Sequence, residues 1–123
     1  MSSPTLVEGI RSVLVSAGLA NTFCVEMPSS VVEGVAVLAY AGVADAEIPV
    51  SRVSVQVKAR SASYVEAERL AWVAFKALES AVPVCDRTVI RKPIPRQEPF
   101  FLMRDEVGNY VQAFNLDYLC LRK

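Results

Sequence analysis

A chain of 123 residues is long enough for one domain with a real core and too short for two. Its 13 basic and 13 acidic residues cancel, so no global field draws it to nucleic acid, and the absence of histidine excludes Ser-His-Asp and Cys-His catalysis. Apolar residues make up 53% of the chain and its mean hydropathy is +0.34. A domain this small buries only about 60–70% of its chain surface, so the apolar surplus predicts a face covered by another subunit.

Residues 1–123 are read as a single domain of alternating helices and strands. Ser3-Pro4 offers a helix start, with Ser3 as N-cap and proline at the first helical position. Leu6, Ile10, Val13, Leu14 and Ala17 then recur at helical spacing, and Gly18 suits a left-handed cap. This amphipathic opening, with Glu8 and Arg11, is unlike a signal peptide, and no apolar run reaches the length of a membrane span. Synthesis in the cytoplasm and no membrane association are expected.

Residues 21–27 and 31–41 are strand candidates separated by the turn residues Met27-Pro28-Ser29-Ser30. Residues 42–49 read as a polar surface loop. The stretch Arg52-Val53-Ser54-Val55-Gln56-Val57-Lys58-Ala59-Arg60 alternates strictly: Val53, Val55, Val57 and Ala59 face a core, and the polar side chains face water or a hydrated channel.

Ser63-Tyr64-Val65-Glu66 has the spacing of a capping box and opens a second helix. Tyr64, Ala67, Leu70, Ala71, Ala74, Phe75 and Leu78 share the arc that should face the sheet. Trp72 falls outside it, near Val65 and beside Glu68, Arg69, Lys76 and Glu79. Two readings stand side by side for this indole: a cover on the domain's own core rim, or a contact with another subunit.

A strand is expected over residues 88–94, then a connection over 95–99, then a hairpin. In the hairpin, Asp105-Glu106-Val107-Gly108-Asn109 suits a loop with Gly108, and also Asn109, at positive φ. On the return strand Tyr110, Phe114, Leu116, Tyr118 and Cys120 fall largely on one face, and Asn115 and Asp117 on the other. The order α-β-β-β-α-β-β-β predicts an α+β fold: a mixed or antiparallel sheet packed against two helices.

Candidate chemistry is sparse. Cys24, Cys85 and Cys120 are far apart, odd in number and without a CxxC spacing, so they read as reduced thiols. No glycine-rich phosphate loop is present. Asp45 with Glu47, and Asp105 with Glu106, are the closest carboxylate pairs, but both lie in predicted turns, where acidic residues serve turn formation and solubility. The basic stretch Arg87, Arg91, Lys92, Arg96 and Arg104 is balanced by Asp86 and Glu98 and reads as a solvated strand face. No catalytic residue, metal site or cofactor is assigned.

Three segments carry a resemblance: Val55-Gln56-Val57-Lys58-Ala59-Arg60; the helix from Ser63 with Glu66-Ala67 and Leu70-Ala71-Trp72; and Pro99-Phe100-Phe101-Leu102 leading to Asp105-Glu106, Gly108 and Tyr110. In their order and spacing they resemble the tail terminator proteins of long-tailed bacteriophages, often labelled minor capsid or tail completion proteins. Met103 departs from the glycine that family members often carry before the Arg-Asp of the hairpin.

The resemblance implies a structural virion protein: a hexameric ring that caps the head-proximal end of the tail tube, stops its polymerisation and offers the surface for the head-tail connector. DNA would pass through the lumen without sequence-specific binding. The expected interface residues are Val65 and Trp72 on the helix, Arg52, Gln56 and Lys58 on the polar strand face, and Arg104, Asp105 and Glu106 at the hairpin. A head completion protein between portal and tail is the nearest alternative, and a small metal- or carboxylate-dependent enzyme a distant one.

Overall fold

The apolar periodicities fold into two helices laid on one face of a five-stranded sheet. The computed structural model describes residues 4–44 and 48–121. The elements run α1 (Leu6–Ser16), β1 (Thr22–Cys24), β2 (Gly34–Ala44), β3 (Val50–Ser61), α2 (Tyr64–Glu79), β4 (Ile94–Arg104) and β5 (Tyr110–Leu121). The strands lie in the order β1-β2-β3-β5-β4. β1 is parallel to β2 and every other neighbouring pair is antiparallel, so the sheet is mixed and the fold is α+β as expected.

Among the described residues the strand count is one lower than expected. Residues 88–93 are not a strand: Val89 makes an isolated bridge to Cys120, flanked by Ile90 N–H to the Leu119 carbonyl at 2.8 Å and Leu121 N–H to the Thr88 carbonyl at 2.9 Å, and Ile94 opens β4. Pro93 has no N–H to continue such a ladder. The residues expected to form a connection, 95–99, belong instead to β4, since prolines are tolerated where the strand lies at a sheet edge. Residues 42–44 likewise continue β2 rather than a loop. Asp45 and Glu47 lie outside the described residues.

α1 begins two residues later than Ser3-Pro4 suggested. Thr5 is its N-cap: the Thr5 hydroxyl accepts from Glu8 N–H at 3.3 Å, and the Glu8 carboxylate accepts from Thr5 N–H at 2.9 Å. This reciprocal box satisfies two otherwise orphaned donors and holds the Glu8 carboxyl below its ordinary value. Ser3 lies outside the described residues. Gly18, at φ +98°, ends the helix as expected.

Only half of the predicted box forms at α2. The Ser63 hydroxyl accepts from Glu66 N–H at 3.3 Å, but the Glu66 carboxylate turns to Arg69, and Ser63 N–H goes to the Ser61 hydroxyl at 3.2 Å.

The core lies between helices and sheet. Val53, Val55 and Val57 of β3 stand opposite Tyr118, Leu116 and Phe114 of β5, and all six are buried. Ile10 and Leu14 of α1, with Leu70, Ala74, Phe75 and Leu78 of α2, close over them. The rings of Phe75 and Phe114 meet edge to face at 5.3 Å. Each buried Val, Leu or Phe contributes about 1.5–3 kcal/mol. Tyr64 departs from its expected place: it is half exposed and stacks instead against Phe101 and Tyr110 at the sheet margin. Cys24 and Cys120 are strand residues, and all three thiols are free.

Candidate functional site

The sheet has a second face, which no helix among the described residues covers. The β3–β5 register places Arg52, Ser54, Gln56 and Lys58 opposite Leu119, Asp117, Asn115 and Ala113 on that face. Period-two alternation, which puts valines into the core, necessarily puts these side chains here.

The centre of this face is Asp117, only 3% exposed. The Ser54 hydroxyl donates to its Oδ1 at 2.7 Å, while Arg52 Nε and Arg96 Nε lie 3.6 and 3.8 Å from Oδ2. One carboxylate thereby ties β3, β5 and β4 together. Beside it the Asn115 amide donates to the Gln97 side-chain oxygen. Gln56 and Lys58 are half-buried and make no side-chain hydrogen bond or ion pair among the described residues. The predicted trio Arg52, Gln56 and Lys58 therefore shares one surface. The sequence reading missed Arg96 as a member, because its place depends on how β4 registers against β5.

A second group gathers at the hairpin between β4 and β5. Gly108 adopts φ +87°, as expected, whereas Asn109 does not take positive φ. Asp105 organises the turn: its carboxylate accepts from Val107 N–H at 3.1 Å, from Asn109 N–H at 2.8 Å and from the Asn109 amide at 3.2 Å. Burial pushes this carboxyl up, but the Asn109 and Val107 hydrogen bonds and the charge of Arg60 outweigh it and hold it below its ordinary value. Arg104 donates to the Gly108 carbonyl through Nε at 3.3 Å and Nη2 at 2.9 Å, and its guanidinium lies 4.7 Å over the Tyr110 ring.

Arg104 and Asp105 are thus engaged in holding the turn, and Glu106 alone of the three presents an exposed charge without a partner among the described residues. Val65, 74% exposed, follows Tyr64, whose ring packs on Phe101 and Tyr110. Trp72 stands apart from both groups. Its indole is half-buried: it meets Phe75 edge to face at 5.6 Å and packs against the core, and the rest of the side chain remains at the surface.

Among the described residues no cluster of three or more Cys, Asp or Glu side chains could hold a metal ion, and no helix is long and apolar enough to cross a membrane. The polar groups on the sheet face and in the hairpin hold strands and a turn in place. A sequence match to the family described as Bacteriophage tail terminator protein spans residues 12–118. The chain belongs to this family. It is a structural protein of phage tails, and its place is the virion.

The matched segment runs from within α1 to within β5, so it contains both the open sheet face and the hairpin of the tail terminator. No curated protein matches the chain. Among solved structures it resembles a chain from "Virion of native gene transfer agent (GTA) particle", with a TM-score of 0.53 and 14% identity over 95% of this chain and 93% of that one. At that identity the likeness is one of fold.

Proposed function

We propose that the protein forms a hexameric ring on the head-proximal end of the tail tube, halts tube polymerisation there and presents the surface on which the head-tail connector docks. The observation that carries this reading is the family match over residues 12–118. The polar open face supports it. Arg52, Gln56 and Lys58 offer hydrated side chains to a lumen through which DNA passes without sequence-specific contact, while the opposite face of the same strands is sealed by helices. The half-exposed and exposed apolar residues at the margins, Val65 and Trp72 among them, are the surfaces a neighbouring subunit covers. The hairpin with Arg104, Asp105 and Glu106 is a rigid projection suited to contact with tube or connector.

The test is electron microscopy of particles assembled in host cells without this protein, with tail lengths measured. Overlong, headless tails are expected. Tails of normal length beside unjoined heads would move the protein to the head completion class, and intact infectious particles would remove both roles.

A further inference from the structure

The open face of the sheet carries a charge imbalance that the neutral total conceals. β2 has no charged residue, β3 contributes Arg52, Lys58 and Arg60 to this face, and β5 contributes Asp117 alone. Arg60 is occupied: its Nη2 donates to the Pro28 carbonyl at 2.8 Å and to that of Val31, and its Nη1 lies 3.9 Å from Asp105. β4 adds Arg96, drawn to the same Asp117. Glu98, also on β4, forms no ion pair with any of these cations. Arg52, Lys58 and Arg96 are therefore set against one carboxylate, and that carboxylate is 3% exposed.

Asp117 gathers the two arginines without saturating them. Arg52 Nε and Arg96 Nε lie 3.6 and 3.8 Å from its Oδ2, which is ion-pair range but beyond a hydrogen bond. Neither guanidinium makes a hydrogen bond among the described residues, and both side chains are 54% exposed. Two guanidinium forks thus converge on one point with their N–H donors unpaired. Lys58, on the same strand as Arg52 and about 20 Å along it, is likewise without a partner among the described residues. A single small anion would need a hollow to hold it, and the larger clefts among the described residues are lined by other side chains. A flat, extended cationic face instead fits anions presented in series. The nucleic-acid backbone is such a series, and arginine forks take its phosphates bidentately.

We propose that this face is a phosphate-backbone contact for double-stranded DNA, with Arg52 and Arg96 as a paired fork and Lys58 as a second point further along the strand. The contact is blind to base sequence, because it reaches no base edge. It rests on the reading of this face as a lumen wall and adds that charge holds the DNA there.

The test is a proton–nitrogen NMR titration of the wild-type protein with a short DNA duplex of arbitrary sequence at low salt. Shifts should concentrate on the Arg52 and Arg96 Nε–H groups and on the backbone of β3 and β5, and should fade as salt is raised. Arg52→Gln/Arg96→Gln should weaken binding about tenfold or more, and Arg52→Lys/Arg96→Lys should restore most of it. Arg69→Gln/Lys76→Gln removes the same charge from α2, on the other side of the sheet, and should change binding by less than roughly twofold. Shifts centred on Arg91 and Lys92 at the β4 edge, or an equal loss from the α2 variant, would overturn this face. A duplex at millimolar concentration that moves no resonance would overturn the DNA contact, while overlong tails in particles lacking the protein would leave the ring reading standing. Shifts at Arg52 and Arg96 beside tails of normal length would keep the contact and move the protein to the head completion class.

Discussion

The two faces of the sheet are built from the same strands, yet they are buried by different means. On the helix side, Val55 and Leu116 face each other under α1 and α2 and are sealed by apolar contact alone. One residue along each strand, Ser54 and Asp117 face each other on the other side, 7% and 3% exposed, and no helix lies over them. Hydrogen bonds and the stems of Arg52 and Arg96 do the covering there. Burial is therefore not a synonym for apolarity in this protein. The helix face supplies the drive to fold, and the open face is a fixed polar surface.

That contrast can be broken most severely at Val55. Its side chain is fully buried, so Val55→Asp places a carboxylate among Val57, Leu116 and helix residues with nothing to pair it. A loss on the order of 4 kcal/mol or more is expected, a large part of the total stability of a small domain. Failure to recover soluble, folded protein would be the observed outcome, and a normal circular-dichroism melt would refute the assignment of faces.

The polar side should give a smaller and more selective response. Asp117→Ala leaves the Ser54 hydroxyl without its acceptor in a buried setting, and about 2 kcal/mol should be lost in urea unfolding. Arg52→Ala should cost less than about 1 kcal/mol, because that guanidinium is more than half exposed and its attraction to Asp117 is screened. Equal losses would mean that the ion pair, not the hydroxyl bond, closes this face.

Much of this division was legible in the sequence, because strict alternation over residues 52–60 can only put valines on one face and polar groups on the other. The helices, their apolar arcs and the glycine turn at 108 followed from equally local rules. Pairing partners did not: the Ser54–Asp117 bond joins residues 63 apart, and no local pattern gives that register. Pro95 and Pro99 argued against a strand because the edge position of β4, which makes prolines acceptable, is a property of the whole sheet. Tyr64 was misplaced because the wheel treats every residue on an arc alike, whereas the first turn of α2 overhangs the sheet margin. That Arg52, Gln56 and Lys58 share one face was legible too, because alternation alone sets it, whereas the place of Arg96 beside them depends on how β4 registers against β5.

At the hairpin the comparison is between backbone and charge. Gly108→Val forces a β-branched residue to φ +87° and brings its Cβ within 3.2 Å of the Arg104 guanidinium, so about 1–2 kcal/mol should be lost. The Asp105 contribution depends on pH. Its folded-state pKa is lowered, so the stabilisation is complete above the ordinary carboxylate value near 4 and vanishes as the pH falls through the lowered value. Amide exchange at Val107 and Asn109 should rise in that acid window, and in Asp105→Ala exchange should already be fast at neutral pH.

The one effect of opposite sign belongs to Tyr118. Its ring is fully buried on the helix face, and its hydroxyl has no hydrogen-bond partner among the described residues. Burial pushes the phenol well above its ordinary value, as a neutral group in apolar surroundings should behave. The ring belongs to the core by shape, but the oxygen bears a desolvation cost that nothing nearby offsets. Tyr118→Phe keeps the packing against Val53 and removes that cost, so the variant should be more stable than wild type by about 1 kcal/mol in urea unfolding. A loss of similar size would instead place an ordered water or a neighbouring subunit's donor against the hydroxyl. The helix face would then hold a polar tie of the kind otherwise seen only on the open side.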